Sequence, residues 1–310
     1  MIAVLEEFQR KGVSRLSISG GEPFCRSDIY DILQKASDLG FDIYLSTNGT
    51  NDIFVEKLRS YSIKVLQVSI DGLEQTHDAI RGKAGAFLHS IKFLEEAHKK
   101  MSASIGVAFS LMPQNADDAV SLFRFLHDHS LSDIFSVIPV QKLGRAEEGN
   151  MLSAKDLKNV LSKLASYYLQ GDRKVELNVM APPAIVPLEI KNTTYGNGYL
   201  CEFPYSVAVN ADGTCSICDG LLNLSDVVSK NIRKDNDAIN QLFQTEVAQK
   251  WLHTSPSQLE GICRRCSFLE LCCGGCRVDS FLHTGSFYSS DPLCQRYYDA
   301  GIFPEEYIRN

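Results

Sequence analysis

The chain has 310 residues, 44% of them hydrophobic and 22% charged. That is an ordinary globular composition, long enough for one large domain and a smaller one. The formal net charge of −7 argues against a nucleic-acid partner, which demands a basic face. No apolar run reaches the length of a membrane span, and the N-terminus lacks a signal peptide's charged-then-apolar layout, so no membrane partner is expected. Closely spaced cysteines without a secretion signal suit a reducing, cytoplasmic setting.

Taken in order, the chain opens on a helix whose Ile2, Leu5 and Phe8 share one face, stopped by Gly12. A strand over 13–19 ends at Gly20-Gly21-Glu22-Pro23, and Ser27 is expected to cap a helix that closes at Gly40. Strand 41–47 ends at Asn48-Gly49, a helix follows near 52–60, and strand 63–70 ends at Asp71-Gly72. Helix 86–100, strand 104–111, helix 116–129 and strand 133–140 complete five helices and five strands in alternation. The last strand runs into Leu143-Gly144-Arg145. Such alternation is the pattern of parallel β/α units, which bind ligands at the C-terminal ends of their strands. The series begins with a helix, however, as though its first strand had been removed.

A helix over 153–170 presents Leu157, Val160, Leu164 and Tyr168 on one face. The stretch 181–198 is rich in Pro, Asn, Thr and Gly and marks a boundary. The expected organisation is therefore a β/α domain over 1–150, a bridging helix and linker over 151–198, and a cysteine domain over 199–310. In the last, Val207, Val209 and the turn at 210–213 suggest a β-hairpin delivering Cys218. One helix is expected over 238–253.

Nine of the ten cysteines fall between Cys201 and Cys294. Seven form an array: Cys201, eleven residues, Gly213, four residues, Cys218, then Cys263-x2-Cys266-x5-Cys272-x3-Cys276, and seventeen residues to Cys294. Thiolates so spaced converge on a soft metal centre. A disulfide framework belongs to small secreted domains. Zinc on the Cys263–Cys276 group alone would leave Cys201, Cys218 and Cys294 without a role, whereas two iron–sulfur clusters account for all seven. Cys215 and Cys273 are surplus. Cys25, the remaining cysteine, reads as a buried thiol.

The array, together with Gly20-Gly21-Glu22-Pro23, Ser69-Ile70-Asp71-Gly72 and Leu143-Gly144-Arg145-Ala146, resembles the radical SAM superfamily, in its branch with a C-terminal SPASM domain. The resemblance covers essentially the whole chain and is to peptide maturases and anaerobic sulfatase-maturing enzymes. It implies an α/β fold, a partial (β/α)6 barrel lacking its first strand, followed by a small cysteine-rich SPASM domain with a β-hairpin and helices. It implies two auxiliary [4Fe–4S] clusters, the first on Cys201, Cys218 and Cys276, the second on Cys263, Cys266, Cys272 and Cys294. Where some relatives add an eighth cysteine, this chain has Tyr195, so the first cluster would keep an open iron or borrow Cys215.

The resemblance also implies that S-adenosylmethionine binds at Gly20, Gly21, Glu22 and Pro23, with Glu22 on its ammonium group. Ser69 and Asp71 would contact the ribose, and Arg81 or Arg145 would pair with a carboxylate. The plainer alternatives are a strand-ending turn at 20–23, an Asp-Gly turn at 71–72 and a solvated Arg81. Asp219, beside Cys218, corresponds to an aspartate that takes the substrate proton in sulfatase-maturing relatives; a surface-turn aspartate is the alternative. The family's Cys-x3-Cys-x2-Cys loop, which holds the reactive [4Fe–4S] cluster, is absent from residues 1–310, and Met1 reads as an internal start after a lost segment. As it stands, the chain is not expected to cleave S-adenosylmethionine.

The implied activity is that of a fragment of an enzyme that modifies a peptide or protein side chain by SAM-derived radical hydrogen abstraction. A ribosomal-peptide maturase making thioether or C–C crosslinks is the first reading. Sulfatase-type oxidation and a non-catalytic iron–sulfur electron-transfer or binding module are the rivals. A flavodoxin or ferredoxin reductant is implied in the first two.

Overall fold

The computed structural model describes residues 2–50, 53–144, 146–190, 201, 204–222, 224, 230–235 and 237–309. These divide into two compact units. The first is built from Met1–Ile138 and Ser162–Val179, the second from the described residues of 139–161, 180–191 and 196–310.

The first unit is a six-stranded sheet in sequential order: β1 (Arg15–Ile18), β2 (Asp42–Thr47), β3 (Ile63–Ser69), β4 (Ser104–Leu111), β5 (Ile134–Pro139) and β6 (Glu176–Val179). β1 to β4 run parallel, as do β5 and β6. The sheet is open, with β1 and β6 at its edges. The inner strands β4 and β5 are largely apolar, as burial on both faces requires, while β2 and β3 alternate buried apolar with more exposed polar residues. Leu45, Leu66, Val68, Val107, Phe109, Phe135 and Val137 are all buried. β1, at the edge, exposes every second residue.

Around the sheet run α1 (Ile2–Arg10), α2 (Ile29–Asp38), α3 (Val55–Leu58), α4 (Glu74–Arg81), α5 (Ala86–Lys100), α6 (Asp118–Asp128) and α7 (Ala154–Gln170). The leading helix α1 buries Val4, Leu5 and Phe8 and pairs Glu6 with Lys35 of α2 at 2.6 Å. Two elements lie where the sequence predicts none. α4 has one buried residue, His77, on a mostly polar helix whose Ala79 and Ile80 are adjacent rather than spaced along one face. β6 lies within the segment expected to bridge the domains; it pairs with β5 and becomes the sixth strand. α2 begins at Ile29 after Asp28, not on a Ser27 cap.

In the second unit, β7 (Ala208–Val209), β8 (Thr214–Ser216) and β9 (Lys230–Asn231) form an antiparallel sheet, with the expected hairpin between the first two. Gly213 occupies φ +90°, and a Cβ there would stand 2.6 Å from Arg233 Cγ, so only glycine fits the turn. The helix expected over 238–253 is two, α8 (Ala238–Phe243) and α9 (Glu246–Leu252), because Thr245 accepts from Ala248 N at 3.3 Å and caps a new start. Then come α10 (Gly261–Arg264), α11 (Leu269–Cys272), α12 (Arg277–Thr284) and α13 (Pro292–Asp299).

Candidate functional sites

In the first unit, the ends of β1, β2 and β3 bring the predicted residues to one edge. Gly20 sits at φ +126°, and a Cβ on Gly20 or Gly21 would meet nothing within 4 Å. The backbone there borders open space, as a ligand lying against main-chain atoms requires. Pro23 is buried and starts a single 3-10 turn, Pro23–Cys25. Glu22 accepts from Phe24 N at 3.1 Å, Thr47 Oγ1 at 2.8 Å and Asn48 N at 2.7 Å. Its carboxylate thus ties β1 to β2, and Oε2, with one hydrogen bond from Asn48, retains acceptor capacity.

Ser69 is half-buried at the end of β3. Asp71 is buried and doubly engaged: Oδ2 pairs with Arg81 Nη2 at 2.6 Å, and Oδ1 accepts from Ser110 N at 3.1 Å. The carboxylate that Arg81 meets is therefore Asp71's own. Sequence reasoning missed the support beneath this pair. His77 Nδ1 accepts from Asp71 N at 2.9 Å, and Asn115 Nδ2 donates to Asp71 O at 3.0 Å. Burial depresses the His77 pKa, with Arg81 adding to the effect, so the ring is a neutral acceptor. Arg145 lies outside the described residues. Cys25, expected to be buried, is exposed, because it ends the 3-10 turn on the open side of the glycine pair.

In the second unit the cysteines separate into two groups. Cys263, Cys266, Cys272 and Cys294 line one narrow cavity, together with Asp291, Gly274, Gly275 and the apolar Ile262, Leu269 and Phe303. Burial pushes Cys272 up to about 11, with Cys263, Cys266 and Asp291 reinforcing it. It also raises Cys263, and raises fully buried Cys294 well above its ordinary value. Cys276 stands apart, beside Cys218. Burial and Asp279 push Cys276 up to about 12, while burial, Asp219 and Cys276 raise Cys218.

The three residues between Cys272 and Cys276 explain the split. Cys273, Gly274 and Gly275 all have positive φ, 48°, 82° and 77°, so the chain reverses and sends two cysteines four positions apart to different groups. Asp291 fixes this reversal. It accepts from Cys276 N at 3.1 Å and Leu293 N at 2.9 Å, capping α13, which carries Cys294. Gly275 packs so tightly against the Asp291 carboxylate that no Cβ fits. Arg277, buried, donates to Phe287 O at 2.9 Å, to Ser289 O at 2.7 Å and to Gly274 O.

Asp219 is exposed and accepts from Cys218 Sγ at 3.3 Å. Cys201 is exposed, and Cys215 is buried in β8. Tyr195 lies outside the described residues. All ten cysteines are thiols. Among the described residues, no three His, Cys, Asp or Glu side chains are gathered closely enough to grip a lone ion; the thiols surround a cavity instead.

The donor sets can be tested against the groups that the motifs imply. Desolvated thiols on glycine-reversed loops fit iron–sulfur clusters, because metal coordination is what makes a buried thiol a thiolate. The open Gly20–Gly21 backbone fits an adenosylmethionine ligand. A reactive cluster does not fit, since Cys25 is the sole cysteine before residue 201.

Residues 1–126 match the radical SAM superfamily. The chain is 26% identical over 312 residues to an AdoMet-dependent heme synthase of Methanosarcina barkeri, covering 94% of this chain and 84% of that protein. It is 22% identical over 325 residues to the mycofactocin maturase MftC of Mycolicibacterium smegmatis, covering 99% and 76%. In fold it is similar to the crystal structure of Streptococcus suis SuiB, with a TM-score of 0.72 at 18% identity over 95% of this chain and 70% of that one. Heme synthesis was not among the functions expected from the motifs.

Proposed function

We propose that this chain, which belongs to the radical SAM superfamily, is the body of an oxidoreductase that modifies a peptide or protein side chain by SAM-derived hydrogen abstraction. Its second unit would carry two auxiliary [4Fe–4S] clusters in a SPASM-type arrangement. The reading rests chiefly on four thiols, Cys263, Cys266, Cys272 and Cys294, facing one buried cavity. Its activity requires three thiolates for the reactive cluster, in a Cys-x3-Cys-x2-Cys spacing that residues 1–310 do not contain.

The auxiliary clusters, when bound, would supply a one-electron acceptor. The chain's own residues do the rest. Gly20 and Gly21 let the backbone approach S-adenosylmethionine, and Glu22 Oε2 offers its remaining acceptor capacity to an ammonium group. Asp71 and Arg81 hold the end of β3 rigid beside Ser69. Asp219 Oδ1 accepts the Cys218 thiol proton in the chain as it stands. Were Cys218 to serve as a cluster ligand, Asp219 Oδ1 would be free to accept a proton from substrate. A flavodoxin or ferredoxin is the proposed reductant. Among the described residues no helix is long and apolar enough to cross a membrane.

One observation favours a second substrate. Five curated relatives with strong matches are named for heme or heme-related synthesis, so a tetrapyrrole substrate is the alternative within the same chemistry. The test is to join the chain to a Cys-x3-Cys-x2-Cys segment, reconstitute it anaerobically, and incubate it with S-adenosylmethionine, reductant, and either a candidate peptide or an iron porphyrin. A mass change in the peptide with formation of 5′-deoxyadenosine supports the first reading. A change in the porphyrin alone moves the assignment to the second.

A further inference from the structure

We propose that Asp279 is the fourth ligand of the first auxiliary cluster, completing the set begun by Cys201, Cys218 and Cys276. This rests on the iron–sulfur reading above and resolves the position for which the array has no eighth cysteine.

Cys276 is the N-cap of α12, and its Sγ accepts from Asp279 N at 3.4 Å. Asp279 thus lies in the first turn, and its carboxylate is within hydrogen-bond reach of the Cys276 thiol. Asp279 is only 3% exposed, yet its Oδ1 has no hydrogen-bond partner among the described residues. A buried carboxylate oxygen left unsatisfied is costly, and more so if charged. An iron at that point removes the cost.

The competing donors are accounted for. Asp291 spends both oxygens on the backbone amides of Cys276, Leu293 and Cys294. Asp219 is exposed, so water satisfies it. Cys215 is buried in β8, where backbone groups of Ile232 and Lys230 approach its sulfur. Among the described residues, Asp279 is the buried donor that remains.

An iron held by oxygen among thiolate-held irons is the weakly bound one, since carboxylate is the harder ligand. Ferricyanide should take one electron from the cluster, giving [4Fe–4S]3+, and loss of the oxygen-bound Fe2+ then leaves [3Fe–4S]+. The experiment is electron paramagnetic resonance on the anaerobically reconstituted chain after such oxidation, comparing wild type, Asp279→Asn and Asp279→Cys. The all-cysteine second cluster serves as an internal control. The asparagine variant should raise the [3Fe–4S] fraction about twofold or more, and the cysteine variant should bring it below wild type. Equal fractions in all three, with equal iron content, overturn the proposal and leave the cluster reading intact. A wild-type chain that binds no iron sinks the cluster reading and this assignment with it. Should Asp279→Asn fail to fold, the wild-type and Asp279→Cys pair decides, since the thiolate preserves ligation.

Discussion

At the sheet edge of the first unit, the ionisable groups close on one another. Asp71 meets Arg81, and Glu22 meets Thr47 and two backbone amides. In the cysteine loops of the second unit, burial instead drives Cys263, Cys272 and Cys294 away from the thiolate form. The first arrangement is satisfied by the chain itself, so it can hold its shape before any ligand arrives. The second is a set of desolvated nucleophiles whose stability waits on a metal.

The comparison is broken most forcefully by metal removal. Chelating reconstituted protein should abolish amide protection over 261–294 while the six-stranded sheet keeps its own. Binding free energy at structural thiolate sites reaches about 10 kcal/mol or more, and it is folding free energy. Hydrogen exchange read segment by segment checks this; equal loss of protection in both units would contradict it.

Next in size is Gly275→Ala. It combines a left-handed backbone with a carboxylate in the way, so a loss of about 3 kcal/mol and of iron from both cysteine groups is expected. Thermal unfolding with iron analysis reads both. Arg81→Ala should cost about 2 kcal/mol, because buried Asp71 keeps only the Ser110 amide. Arg81 is itself partly exposed, so the figure stays below that of a fully buried pair. Arg81→Lys should recover part of the loss in urea titrations.

The smallest effect is a pH dependence at His77. Its pKa is depressed in the fold, so the unfolded chain binds the proton first as pH falls through about 6.5. Stability is then present above that value and declines below it, by at most about 1.4 kcal/mol per pH unit. His77→Asn keeps an acceptor for Asp71 N and should flatten the decline between pH 7 and pH 5. An unchanged slope would place the titrating group elsewhere.

How much of this the sequence carries depends on whether the signal is periodic. The β/α alternation shows because each inner strand is an apolar run or an alternation of buried apolar residues, and each long helix carries an apolar stripe. α4 escapes because its buried anchor is an imidazole, and β6 because Glu176–Val179 is four residues long and alternates with polar positions. Cys25 was misplaced because cysteine's usual burial says nothing about a turn beside open backbone. In the cysteine region, spacing reveals the thiols, since short loops must present sulfur at fixed intervals. Asp279 and Asp291 have no such signature; each becomes legible only when the fold buries it against Cys276.

The central claim is that the buried thiols of 263–294 hold iron–sulfur clusters. Its most direct test is iron and sulfide analysis with a visible spectrum on the anaerobically reconstituted chain. Two clusters predict a brown protein with about eight irons and matching sulfide. A colourless protein holding zinc and little iron would contradict the account and leave a structural metal domain beside a β/α sheet.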